Sequence, residues 1–87
     1  MSIKVIVSFD VEEFDTFKSG FDTGGHARTA AGIIAEAFKN VDAPNNVWVI
    51  GTAPSKEAFT AFFSAPAAQE RMRNAGVVSA PTITFLE

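Results

Sequence analysis

The chain has 87 residues, is 47% hydrophobic with nine phenylalanines and no tyrosine, and sets seven Lys and Arg against ten Asp and Glu for a net charge of −3. That length supports one core, so residues 1–87 are expected to form a single domain, small enough that its apolar content is hard to hide without a second copy. Without cysteine there are no disulfides, thiolate metal ligands or cysteine nucleophiles, and without a Lys/Arg cluster the electrostatic footprint of a nucleic-acid binder is missing.

The opening "MSIKVIVSFDVEEF" reaches acidic residues after too short an apolar run for a secretory core or a membrane span. No membrane association and a cytoplasmic location are therefore the expectation. Within it, Ile3, Val5, Val7 and Phe9 alternate with Lys4, Ile6 and Ser8, the period-2 pattern of a first strand. The period then changes. Val11, Phe14, Phe17 and Phe21 recur at helical spacing, and Asp10 with Glu13 has the separation of a capping pair, which predicts a helix from about residue 11. Gly24 and Gly25 interrupt it, "HARTAAG" resumes it, and Gly32 suits the left-handed position after its end.

Residues 33–39 alternate again, and "NVDAPNN" supplies turn chemistry before the strand "VWVIGTA", which predicts a hairpin with a long loop. Ser55 is placed to cap a second helix carrying Phe59, Phe62 and Phe63 on one stripe. Pro66 restarts that helix, Met72 falls on its buried side and Gly76 ends it, before a last strand in "PTITFLE". The order β-α-β-β-α-β predicts an α+β, ferredoxin-like fold, with four antiparallel strands and the helices on one face.

The other face of such a sheet is left without cover. Its parity offers Ile6, Ser8, Trp48, Ile50, Thr52, Thr82, Thr84 and Leu86, joined by Ile34, Glu36 and Phe38 from the hairpin. Burying the large apolar members is worth roughly 1.5–3 kcal/mol each, a sum comparable with the stability of a whole domain. A homodimer closed through the sheet face is the expected solution.

This pattern resembles the dimeric α+β-barrel superfamily, which includes the cofactor-independent antibiotic-biosynthesis monooxygenases. The residues that carry the resemblance are "VSFDVEEFDTFKSGFD", "AGI", "DAPNNVWVI" and "FFSAPAAQERMRNAGVVSAPTITFLE". It implies a fold and a dimer, on a scaffold that hosts oxidation, isomerisation, decarboxylation and plain ligand binding. Relatives carry a histidine late in the first helix. Aligned on Gly32, that place is taken here by Gly24, with His26 two residues further on, and Arg28 aligns better.

Among the candidate residues, His26 is the one side chain whose ordinary pKa allows proton transfer near neutrality. A helix break beside it would aim the ring into a cleft; the plainer reading, adopted here, is a bend with a half-wet histidine. Gly24, Gly25 and Arg28 make a weak anion cradle without the Walker lysine. Asp10, Glu12, Glu13 and Asp15 fit a helix start better than a cation site, and one histidine without thiols does not make a transition-metal site, so no metal and no cofactor are expected. Trp48 could stack on a flat ligand with Ser8, Thr52 and Thr84 as hydrogen-bonding partners, although dimer packing explains the same residues. Glu36, if dry, needs a partner. The functional expectation is a small soluble homodimer, non-catalytic or weakly ligand-binding, any ligand being a small hydrophobic molecule. Its alternative is a cofactor-free enzyme in which His26 or Glu36 handles a proton and Arg28 stabilises an enolate or carboxylate.

Overall fold

Four strands, β1 (Ile3–Asp10), β2 (Ile34–Asn40), β3 (Ala43–Ala53) and β4 (Thr82–Leu86), form one antiparallel sheet in the order β2-β3-β1-β4. This is a computed structural model, and it describes residues 2–87. Two helical arms cross one face: α1 (Phe14–Thr23) with α2 (Gly25–Ala30), and α3 (Lys56–Ser64) with α4 (Pro66–Asn74). The ferredoxin-like α+β arrangement expected from the element order is the one observed.

The alternation in β1 sets the core. Val5, Val7 and Phe9 are buried under the helices with Val47, while Phe17 and Phe59 descend from α1 and α3 to meet them. Both arms end as their glycines predict. Gly32 (φ +77°) and Gly76 (φ +85°) adopt the left-handed conformation. In the turn after α2, Ile33 N–H donates to Arg28 O at 2.8 Å and Gly32 N–H to Thr29 O at 3.0 Å. After α4, Val77 and Gly76 make the same pair of bonds to Met72 O and Arg73 O, so both ends are Schellman caps. Ser55 caps α3 by accepting from Ala58 N–H at 3.1 Å, and Pro66 occupies the first turn of α4.

Two local readings are corrected. The first helix begins at Phe14, not near residue 11, and the Asp10/Glu13 capping pair does not form: Glu13 is the N-cap and its side chain makes no cap bond. Asp10 ends β1 opposite Asn46. The reason is tertiary, since Val11 N–H donates to Asn45 O at 2.8 Å and Glu12 N–H to Gly76 O at 2.9 Å, and Val11 is buried in a bridge with Val77. Of the four clustered acids only Asp15 lies in the helix's first turn.

The hairpin loop is also shorter than "NVDAPNN" suggests. Only Val41 and Asp42 lie between β2 and β3, with Asp42 N–H donating to Asn40 Oδ1 at 2.9 Å. The remaining turn residues belong to β3, where the pairing shifts from Lys39↔Val47 to Asn40↔Ala43 across an irregularity.

Candidate functional site

The helices meet the sheet around a space that both line. Between them lies a cavity of about 100 Å³ walled by Phe9 of β1, Phe17 and Phe21 of α1, Phe59, Phe62 and Phe63 of α3, and Met72 of α4. The sequence makes this by crowding rings at helical spacing. Phe17 meets Phe9 edge-on at 5.2 Å and Phe21 at 5.8 Å, while Phe59 stacks on Phe63 at 5.5 Å and meets Phe85 edge-on at 5.7 Å. These ring clusters form the walls of the cavity.

Arg28 and Arg71 are the charged residues of the lining. The Arg28 guanidinium lies over the Phe21 ring, 3.7 Å from its centroid, and Nη2 donates to Phe21 O at 2.6 Å. Burial pushes the pKa of Arg28 below its usual value, the nearby charge of Arg71 lowers it further, and Asp22 acts in the opposite sense. Both arginines reach the backbone at Gly24. It is buried, its φ of −80° is open to any residue, and a Cβ there would stand 3.2 Å from Arg28 Nη1 and 3.4 Å from Arg71 Nε. The Gly-Gly pair does bend the chain, and its first glycine also makes room for the two guanidiniums.

The opposite sheet face carries three rows across the strands: Phe38, Trp48, Ser8 and Thr82; Glu36, Ile50, Ile6 and Thr84; Ile34, Thr52, Lys4 and Leu86. In the single chain its large apolar members stand in the open, with Ile34 73%, Phe38 46%, Leu86 45%, Trp48 41% and Ile50 38% exposed. Trp48 is nevertheless fixed. Its Nε1–H donates to Asn46 Oδ1 at 2.7 Å, and the Asn46 amide donates in turn to Asp10 Oδ1 at 3.1 Å and to Ser8 Oγ at 3.4 Å.

The candidate catalytic residues are not brought together. Arg28 lines the cavity; His26, on the same short helix, is exposed and outside the lining; Glu36 is exposed on the opposite side of the sheet. Of the candidate ligand contacts, Ser8 and Trp48 are directly opposed across β1 and β3, whereas Thr84 is one row and Thr52 two rows away. Among the described residues no three His, Asp or Glu side chains gather as a metal ion requires, and no helix is long and apolar enough to cross a membrane. Sequence reasoning missed Arg71. The available signal was its place three residues after Ala68 and four before the C-cap Ala75, both buried, on one stripe.

Solved structures share this architecture over nearly the whole chain. A Bordetella bronchiseptica protein provisionally described as an antibiotic biosynthesis monooxygenase superposes with a TM-score of 0.82 at 15% identity, covering 99% of this chain and 95% of that one. SnoaB, a cofactor-independent oxygenase from Streptomyces nogalater, gives 0.75 at 15% identity over 99% and 93%, and a conserved protein from Methanosarcina mazei Go1 gives 0.76 at 11% over 100% and 92%. No protein-family profile and no curated protein matches the sequence. At these identities the likeness is one of fold, ferredoxin-like α+β.

Proposed function

We propose that this protein is a homodimer, joined through its open sheet face, that binds a small hydrophobic molecule between its helices and its sheet. The observation that carries the reading is the cavity: phenylalanine walls, a void of about 100 Å³ and two arginines as its charged residues. Concave apolar sites with a few polar groups are the usual form of small-molecule pockets. An enclosed apolar void of about 150 Å³ holds benzene; this one is smaller but partly open, so it suits a short branched chain or a single ring left partly outside. The dimer is supported by the three rows of the sheet face, whose exposed Ile34, Phe38, Trp48, Ile50 and Leu86 need cover. Ser8, Thr52, Thr84 and Trp48 then lie at the subunit junction, contacting ligand only where the junction encloses one.

A second reading, a cofactor-free enzyme of the kind SnoaB is described as, is favoured by Arg28 in its apolar setting, where a guanidinium would stabilise an enolate strongly. His26 and Glu36 are its candidate bases. Turnover of an enolisable aromatic that survives both His26→Ala and Glu36→Gln would remove them from that role.

Binding is tested by titrating the isotope-labelled protein with toluene and with indole in nuclear magnetic resonance. The expected shifts fall on Phe17, Phe59, Phe63 and Met72; shifts confined to the sheet face, or none, overturn the cavity as a binding site. Light scattering tests the assembly, and a folded monomer at micromolar concentration refutes the dimer.

A further inference from the structure

Arg28 and Arg71 raise a question that the apolar cavity does not answer. Each alone is accounted for, because Arg28 lies in the last turn of α2 and Arg71 in the last turn of α4, where the helix dipole favours a cation. Their convergence is not. Both line the same cavity, and both reach to within 3.4 Å of the position a Cβ on Gly24 would take. Two guanidiniums facing one backbone position repel one another, more so beside apolar walls than in water, and the charge of Arg71 acts on Arg28 in that sense.

Among the described residues no carboxylate forms an ion pair with either arginine. The ion pair among the described residues joins Lys18 to Asp22 at 2.9 Å, so the carboxylate that acts on Arg28 from α1 already has a partner. Glu13 and Asp15 line the groove on the outer side of Arg71, yet neither comes within ion-pair distance of it. Arg28 spends one donor on Phe21 O, and Arg71 makes no side-chain hydrogen bond among the described residues. A guanidinium has five donors in a planar fork shaped for a carboxylate. Two such forks, largely unspent, meet at the edge of a void lined with rings.

We propose, building on the cavity reading above, that the ligand is a small hydrophobic carboxylate of single-ring size, its anionic head gripped between Arg28 and Arg71 and its apolar body packed among Phe17, Phe59 and Phe63. The head supplies the missing counter-charge and accepts the unspent donors. The body fills the void.

Benzoate and its neutral isostere benzamide are the probes, titrated into the full chain by calorimetry and by nuclear magnetic resonance. Benzoate is expected to bind about tenfold tighter than benzamide, the usual advantage of a charge-assisted bidentate bond. Arg71→Gln and Arg28→Gln are each expected to remove the tenfold difference between the two probes, and Arg71→Lys to recover part of it. Arg73→Gln, on the exposed side of α4, is expected to change neither. Because Arg28 also holds Phe21 O, Arg71→Gln decides the matter should Arg28→Gln lose its melting transition. Equal binding of the two probes at the cavity, or a benzoate advantage that survives Arg71→Gln, overturns the carboxylate assignment and leaves the cavity reading standing. If neither probe binds, both fall.

Discussion

Phe17→Ala removes the ring on which the aromatic cluster is built. Phe17 is only 4% exposed and touches Phe9, Phe14 and Phe21 with ring centroids 5.2, 6.4 and 5.8 Å away. Phe→Ala in a core costs about 3–5 kcal/mol through lost burial and the cavity left behind. Phe17 is itself a wall of the existing void. Part of its surface therefore already lacks partner atoms, which places the loss in the lower half of that range, about 3–4 kcal/mol. For an 87-residue chain, typical per-residue stabilities give a total of about 4–13 kcal/mol, so the variant keeps between none and about three quarters of its stability. Urea unfolding followed by far-ultraviolet circular dichroism, at one fixed protein concentration because the proposed dimer would add to apparent stability, measures this directly. A loss below about 1.5 kcal/mol at an unchanged urea slope would refute the packing argument, since that is the worth of a side chain at the rim of a core.

Gly51→Ala tests the closeness of β2 and β3: a Cβ there would overlap Ile34 O and stand 2.7 Å from Ala35 Cα, an overpacking expected to cost about 1–3 kcal/mol. Faster amide exchange along β2 checks it, and wild-type protection contradicts it. Ser55→Ala deletes the cap accepted from Ala58 N–H and is expected to cost about 1 kcal/mol, seen as a fall of roughly 4–8 °C in melting temperature. An unchanged melt would show that the bond contributes nothing. Ile50→Lys places a charge in the middle row of the sheet face, 38% exposed in the single chain, and should give folded monomers by light scattering; a persistent dimer would move the interface elsewhere.

Most of the architecture is present in local patterns. The alternation of Val5, Val7 and Phe9 decides which side of β1 is buried; Gly32 and Gly76 mark helix ends that need a positive φ; Ser55 and Pro66 mark helix starts. Each works because a single residue's conformational preference or a short-range period is sufficient cause. The start of α1 was not available in this way: Asp10 and Glu13 have the right spacing for a cap, but distant carbonyls, Asn45 O and Gly76 O, take the backbone donors of residues 11 and 12 first.

The site divides along the same line. Arg28 can be singled out from the chain, as can the aromatic stripes of α1 and α3. That Arg71 comes from more than forty positions away to meet Arg28 over Gly24, and that His26 and Glu36 stay outside the cavity, follows only from how the two helical arms cross the sheet. Periodicity assigns a residue to a face, because side-chain direction is a property of the local backbone. Which faces meet, and whether rings crowded between them close up or leave a space, depends on contacts between segments remote in the chain, and there the three-dimensional packing alone decides.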